Sequence, residues 1–168
     1  MKNTKVSTTA SSSFLEGVEG GKLIVAALEN GTVIDRIPSD KVFKVISILH
    51  LDAVDTLMTI GINLKSFKLG KKGIIKIKDK YFENDEISRI ALIAPLAKLN
   101  IIKNYEVVEK CNISLPAEIN DIVLCNNPMC ITNNEPVSTR FHVINSDKVT
   151  LKCHYCERMV EQQDIKMK

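Results

Sequence analysis

The side chains best suited to chemistry in this sequence are four cysteines arranged as two close pairs. Cys125 and Cys130 form a C-x4-C pair, and Cys153 and Cys156 form a C-x2-C pair further along the chain. Two such pairs separated by a β-rich stretch are typical of tetrahedral zinc held by four thiolates. A site with four protein ligands has no open position for a substrate. We therefore expect one structural Zn²⁺ with these four cysteines as ligands.

Two other interpretations of the cysteines remain open. They are chance clustering of buried thiols and a redox C-x-x-C motif, although a redox motif should open a helix after a strand. His154 lies between the last two cysteines and is an alternative ligand, whereas Cys111 is expected to be a small buried side chain. The surrounding segment, residues 109–168, has short β-type runs and is too small to form a good hydrophobic core, so it needs a metal staple.

A second group with chemical potential is a cluster of seven lysines within 16 residues. They are Lys65, Lys68, Lys71, Lys72, Lys76, Lys78 and Lys80. Lys76 and Lys78 alternate with isoleucines, which predicts a strand with one cationic face and one apolar face. The cationic face is either a solvated surface or a surface for a polyanion such as a nucleotide phosphate or a nucleic acid. The sequence has neither a Walker-type loop nor G-x-G-x-x-G, so lysines and strand backbone would have to hold any phosphate.

No catalytic constellation is visible in the sequence. The three histidines are scattered, no G-x-S-x-G occurs, and we predict no catalytic residues. His50 is expected at a helix end, where a positive charge favours the dipole. Asp35 follows an apolar run and precedes Arg36, so it is either part of a surface ion pair or a carboxylate that contacts a ligand.

The elements that must position these groups follow the order β-α-β-β-α-β over residues 22–108. Extended segments are predicted at residues 23–28, 32–37, 57–64, 74–78 and 99–108, with a turn over residues 70–73. One helix is expected after Pro38 with Ser39 as its N-cap, and a second from Asn84 to the residue before Pro95. This order is that of a ferredoxin-like fold, a sheet with two helices on one face.

The predicted fold class is therefore α+β: a ferredoxin-like domain over residues 22–108 and a small all-β zinc-binding domain over residues 109–168. Residues 1–21 are rich in Ser, Thr and Gly and are predicted to be a disordered extension. Residues 1–108 hold 16 Lys/Arg against 12 Asp/Glu, and residues 109–168 hold 7 against 8.

The charge distribution and the absence of a general base weigh against two alternative functions, a zinc ribbon that binds nucleic acid and a zinc enzyme. A zinc ribbon that binds nucleic acid should be basic and rich in exposed aromatics, but aromatic residues make up only 5% of the chain. A zinc enzyme needs an open ligand position and a general base.

No apolar run approaches the roughly 20 residues that span a bilayer, and the N-terminus lacks an apolar signal region. We expect a cytoplasmic protein that binds neither membrane nor nucleic acid.

Several motifs, in order, give the chain a resemblance to a known family. In the first domain they are residues 31–38, 59–64, 74–77, 94–95 and 104–108. In the second they are residues 114–116, 125–130, 135–138 and 151–157. Over residues 22–160 the sequence resembles the regulatory chain of aspartate carbamoyltransferase, a non-catalytic subunit of pyrimidine biosynthesis.

The resemblance implies an allosteric first domain that binds CTP as inhibitor and ATP as activator at one shared site, with UTP as a further candidate. Carried over by position, the polar contacts are Asp35, Arg36, Lys76 and Lys110, and Lys72 is a weaker candidate nearby. The residues implied to frame the base and the sugar are Val25, Leu28, Val33, Asn100, Ile102, Tyr105 and Val107.

The resemblance also implies the partners. The zinc domain would contact the catalytic chain through Asn127 and Glu157, and regulatory chains would pair through their first domains to hold catalytic trimers together. The chain departs from the family pattern at Arg36, where His is frequent, and at Met129, where Asn is common. It also carries an additional Ser/Thr-rich N-terminal tail.

Overall fold

The computed structural model describes residues 18–19, 22–23 and 25–168. Strand β1 (Val18–Glu19) pairs in antiparallel fashion with β2 (Lys22–Leu23). The extension expected over residues 1–21 otherwise lies outside the described residues. Within the described part of the chain, no helix has both the length and the apolar character needed to cross a membrane.

The first domain is built on an antiparallel five-stranded sheet. Its strands are β3 (Gly31–Pro38), β4 (Met58–Ser66), β5 (Gly70–Lys78), β6 (Lys98–Lys103) and β7 (Glu106–Asn112), in the spatial order β4-β5-β3-β6-β7. Helix α1 (Val42–Ile48) follows β3, and α2 (Asn84–Ile93) follows β5. Strands β3 to β6 have the ferredoxin-like order, and β7 adds a fifth strand at the edge. The predicted α+β fold class is confirmed.

The core of this domain forms where alternate sheet residues meet the two helices. Ile34 on β3 and Ile75 on β5 are fully buried against Val42 of α1 and Ile90 of α2. Each such buried side chain contributes about 1.5–3 kcal/mol. Gly73 allows the close contact with α1, because a Cβ there would lie 2.1 Å from Cγ2 of Val42. Both helices are therefore on one face of the sheet, and the other face carries no helix from the described part of the chain.

The two helices begin differently. The predicted N-cap role of Ser39 is wrong: a 3₁₀ turn (Ser39–Lys41) precedes α1, and the Ser39 hydroxyl instead accepts a hydrogen bond from the Asn63 N–H at 3.3 Å. Helix α2 begins at Asn84 as predicted. Glu83 and Glu86 form a capping box there, in which each side chain accepts from the other's backbone N–H.

Three predictions for the strands are wrong. The extended segment expected over residues 23–28 is in a strand at Leu23 of β2, but residues 25–28 belong to no strand. The expected turn over residues 70–73 is the first half of β5, because Lys71 and Lys72 pair with β4, and the turn lies at residues 67–69. The single extended segment expected over residues 99–108 is two strands, β6 and β7, which reverse at Asn104 and Tyr105 in left-handed conformations (φ 52° and 64°). Because β7 continues to Asn112, the sheet extends past the boundary expected after residue 108.

The second domain is a small β-structure around the cysteines. Strands β8 (Glu118–Asn120), β10 (Arg140–Asn145), β11 (Thr150–Cys153) and β12 (Met159–Val160) form a sheet in the order β12-β11-β10-β8. Strand β9 (Val123–Leu124) pairs with β13 (Lys166–Met167), and α3 (Ile131–Asn134) is a single turn after Cys130. Phe141 and Leu151 are fully buried in its core, next to Cys125, Cys130 and Cys153.

Helix α2 belongs to both domains. Its Leu92 is fully buried, but in the core of the second domain, whereas Ile90 and Ile93 lie in the first core. The Gln162 side-chain amide donates to the carbonyl oxygens of Leu92 and Ile93 at 3.0 and 3.2 Å. Lys41 in turn donates to Oε1 of Gln162 at 3.2 Å. The last carbonyls of α2, which a helix cannot pair internally, are thus satisfied by the second domain.

Candidate functional site

The four predicted metal ligands converge in the second domain. The Sγ atoms of Cys125, Cys130, Cys153 and Cys156 all lie within 4.8 Å of one another. Cys125 and Cys156 are 3.5 Å apart, and Cys130 and Cys153 are 3.9 Å apart. Four sulfurs at about 2.3 Å from a tetrahedral ion are about 3.8 Å apart, so the cluster fits one structural Zn²⁺. Among the described residues the cluster consists of the four cysteines alone, and His154 instead contacts His142, with its Nδ1 3.0 Å from Nε2 of that ring.

The first cysteine pair is held in place by two side chains that the sequence analysis did not single out. The Asn133 amide donates to the carbonyl oxygens of Cys125 and Asn127, each at 2.8 Å. Asn134 donates to the carbonyl oxygen of Cys130, also at 2.8 Å. These bonds fix the turn that presents the two sulfurs. The signal in the sequence was the Asn-Asn pair that follows the second cysteine.

The electrostatics of the cluster require a cation. Burial raises the pKa of Cys125 to about 12 and also raises the pKa of Cys153. Burial opposes ionisation of Cys156 as well, but hydrogen bonds from the Arg158 backbone and the Asn127 side chain lower its pKa to about 6. Four thiols this close together, three of them buried, cannot all ionise side by side, so a divalent ion supplies the charge that holds them as thiolates.

The two residues implied to contact a catalytic chain lie at the turns that present the sulfurs. The Asn127 side-chain oxygen accepts from the Met129 N–H at 3.1 Å, and the Met129 side chain is 86% exposed. Glu157 follows the last cysteine in a left-handed conformation (φ 59°) and pairs with Lys152 at 3.3 Å. Tyr155, which lies between Cys153 and Cys156 in the chain, is also exposed. The two turns that present the sulfurs therefore expose both polar and apolar side chains.

The helix-free face of the first sheet brings together the implied nucleotide contacts. Lys76 on β5 is directly opposite Val33 on β3, Val33 is opposite Asn100 on β6, and Asn100 is opposite Lys110 on β7. Directly paired residues place their side chains on the same face of a sheet. Since Ile34, the neighbour of Val33, faces the helices, this row of four residues points away from them. Thr59 on β4, which the sequence analysis did not nominate, extends the row beyond Lys76.

The remaining framing residues lie around this row. Ile102 on β6 is opposite both Gly31 and Val107. Val25 packs against β4 at the edge of this face: a Cβ added to Gly61 would lie 3.3 Å from Cγ2 of Val25. Tyr105 occupies the turn between β6 and β7, and its N–H donates to the carbonyl oxygen of Glu29 at 2.9 Å. That bond ties the segment containing the half-buried Leu28 to this turn.

Asp35 and Lys72 form an ion pair on the same face. Nζ of Lys72 lies 3.0 and 3.2 Å from the two carboxylate oxygens of Asp35, and the Lys72 side chain is only 3% exposed. Arg36 has a left-handed backbone conformation (φ 60°), which interrupts the regular pairing of β3 with β5. Its backbone N–H donates to the Asp35 carboxylate at 2.8 Å. Lys72 therefore has a more central position than the sequence analysis gave it. The signal was its two-residue spacing from Ile74 and Lys76.

Lys76 is held over the face by backbone oxygens. Its ammonium donates to the carbonyl oxygens of Ala26 and Val25 at 2.5 and 3.4 Å. Burial lowers the pKa of Lys76, and the charge of Asp35 partly opposes that shift. An ammonium that is partly removed from water interacts more strongly with a bound anion than a fully solvated one does.

Taken together, the fold and the side chains define a two-domain protein, with a closed four-cysteine metal site in one domain and a lysine-bearing sheet face in the other. Comparisons with known proteins name both domains. The profile described as aspartate carbamoyltransferase regulatory chain, allosteric domain, matches residues 23–114, and the metal binding domain of the same chain matches residues 117–166. The protein belongs to the family of aspartate carbamoyltransferase regulatory chains, which are non-catalytic subunits.

Similar proteins bearing that description span most of the chain. The one from Parabacteroides distasonis is 58% identical over 147 residues, covering 88% of this chain and 96% of the relative. The one from Bacteroides fragilis is 59% identical over 143 residues, covering 85% and 94%. The one from Thermococcus sibiricus is 52% identical over 144 residues, covering 86% and 95%. The family predicted from the motifs is confirmed.

Proposed function

We propose that this chain senses nucleotides for an aspartate carbamoyltransferase, binding CTP as inhibitor and ATP as activator at one shared site. The observation that carries the proposal is the row formed by Lys76, Val33, Asn100 and Lys110 across four adjacent strands. It combines two cations, an amide and an apolar side chain on a helix-free face. That combination suits a ligand with a polyanionic tail, a polar sugar and a flat base.

The charges on this face suggest how a nucleotide is oriented. Lys76 and Lys110 act as point charges for the phosphates, and the Arg36 guanidinium can bind phosphate oxygens in bidentate fashion. The carboxylate of Asp35, held by Lys72 at 3.0 Å, accepts hydrogen bonds from a sugar hydroxyl or a base amino group. The backbone of residues 25–28 frames the base. CTP, ATP and UTP share the phosphates and the sugar, so one site accepts all three and distinguishes them by the base.

We propose further that the signal reaches catalytic chains through the metal domain. Regulatory chains pair through their first domains, and Asn127 and Glu157 contact the catalytic chains that complete the assembly. Each nucleotide acts by its differential affinity for two quaternary states, with a coupling free energy of about 1–3 kcal/mol. A thiolate-held zinc also supports the expected location in the reducing cytoplasm.

The binding site is tested by titrating the zinc-loaded full chain with CTP in a calorimeter and repeating the titration in excess ATP, then in excess UTP. We expect saturable binding that ATP competes away. Lys76→Ala and Lys110→Ala should each weaken CTP about 10-fold or more, because a hydrogen bond to a charged group is worth about 1.5–3 kcal/mol. Lys148→Ala, a lysine change in the second domain, is the control and should leave the affinity unchanged.

Two results would contradict the proposal. One is the absence of CTP binding in a folded, zinc-replete sample. The other is equal weakening by Lys148→Ala and Lys76→Ala, which would indicate non-specific charge attraction. Regulation itself is tested by adding the chain to its catalytic chain and measuring carbamoyltransferase activity, which CTP should lower and ATP should raise.

A further inference from the structure

The solvent face of the second domain's sheet carries a histidine pair that neither site above uses. His142 lies on β10, and His154 lies just after β11. Nε2 of His142 is 3.0 Å from Nδ1 of His154, and the ring planes are inclined at 55°. Both rings are accessible to solvent, so the pair is open to a ligand without any rearrangement of the core.

A carboxylate lies next to the outer nitrogen of the first histidine. Glu118 on β8 is directly opposite His142, and its Oε1 lies 3.3 Å from His142 Nδ1. The other carboxylate oxygen is 3.9 Å from the Arg140 guanidinium. When Nδ1 carries the proton of the neutral ring, it lies next to the carboxylate, and the lone pair of Nε2 faces His154. A carboxylate that holds the outer nitrogen of a histidine in this way is a recurrent feature of metal sites.

The spacing of the two inner nitrogens matches that of ligands on one metal ion. Two imidazole nitrogens at about 2.0–2.1 Å from an ion are about 2.9 Å apart at a right angle and about 3.4 Å apart at the tetrahedral angle. The observed 3.0 Å is closer to the right angle. Right angles between ligands are found in square-planar and octahedral sites, which Cu²⁺ and Ni²⁺ prefer with nitrogen ligands. The same distance allows one ring to donate an N–H to the other before an ion binds.

We propose that His142 and His154 form a second metal site for a divalent transition ion of the Ni²⁺ and Cu²⁺ class, with water in its other positions. On binding, the His154 proton moves from Nδ1 to Nε2, so both rings stay neutral and both inner lone pairs face the ion. Glu118 lies on the far side of the His142 ring, so it orients that ligand and does not coordinate. The site is separate from the four-cysteine cluster, whose thiolates select zinc.

The site is tested on the zinc-loaded full chain with Ni²⁺ as the probe, because Cu²⁺ would oxidise the thiolates. Equilibrium dialysis with metal analysis gives the nickel and zinc content per chain. Two-dimensional NMR of the histidine rings then shows which of them the paramagnetic ion broadens. We expect one Ni²⁺ per chain with zinc retained, and broadening of His142 and His154 while His50 keeps its signals.

Variants assign the ligands. His142→Ala and His154→Ala should each abolish the added nickel without loss of zinc, and Glu118→Gln should weaken nickel about 10-fold through the lost orientation of His142. His50→Ala is the matched control and should bind nickel normally. The proposal is overturned if nickel binds equally well without His142 or His154, if His50→Ala loses nickel to the same extent, or if nickel enters only by displacing zinc.

Discussion

Removing Asp35 from its ion pair with Lys72 should destabilise the protein much more than removing Lys72. Lys72 is 3% exposed and Asp35 is 20% exposed. Asp35→Asn removes the charge that compensates a buried ammonium, and breaking a buried pair in this way costs about 3–5 kcal/mol. Water reaches Asp35, and asparagine keeps one oxygen that accepts from Lys72. We therefore expect Asp35→Asn to lower the free energy of unfolding by about 2–3 kcal/mol.

Lys72→Met is the matched variant, because it keeps the buried methylenes and leaves the more exposed partner behind. Asp35 then retains water and the Arg36 N–H at 2.8 Å, so the expected cost is about 1 kcal/mol or less. Urea unfolding of the zinc-loaded chain, followed by NMR signals of β3 and β5, measures the first domain separately. The reasoning would be refuted if the two variants lost equal stability or if Lys72→Met lost more.

Three further perturbations test other parts of the structure. Burial lowers the pKa of Lys76, so between that lowered value and the usual 10.5 the unfolded chain binds more protons. Urea titrations should therefore show wild type gaining stability relative to Lys76→Met as the pH rises through this window towards 10.5, and a difference that stays constant throughout the window contradicts this. Cys130→Ser should abolish zinc binding and unfold the second domain, since zinc contributes about 10–16 kcal/mol to the folding of small metal domains. NMR spectra that still showed a folded second sheet would argue against a stabilising role of the metal. Leu92→Ala should cost about 2–5 kcal/mol and lower the melting temperature of the second domain, whereas a loss confined to the first domain would contradict the shared helix.

The sequence predicted the core of the first domain well because its signals there are local. The two-residue alternation around Ile75 and the acidic start of α2 follow from the geometry of a strand and a helix. The four zinc ligands were predicted from their spacing alone. The nucleotide face came from the family resemblance, and its residues stay a prediction, although the strand register places Val33, Asn100 and both lysines in one row.

The predictions that failed depended on contacts between distant segments. Gly70 and Gly73 are a turn signal by composition, but pairing of Lys71 and Lys72 with β4 overrides it. The reversal contains neither Gly nor Pro, and its one turn-favouring residue, Asn104, is followed by Tyr105, a type common in strands, so the local marker of the break was weak. The bracing of the first cysteine pair by Asn133 was not predicted, because the Asn-Asn pair shows only that amide donors are nearby and not which carbonyl groups they reach.

The position of Leu92 has a consequence for the order in which the protein is made. The first sheet can form as soon as residues up to Asn112 have left the ribosome, yet the core that covers Leu92 includes Ile165, which is synthesised much later. Until the segment with Ile165 arrives and a metal ion closes the second domain, the end of α2 stays uncovered. Newly made chains in a zinc-starved cell would therefore present an apolar helix end on a finished sheet, which is the kind of surface that chaperones and proteases detect.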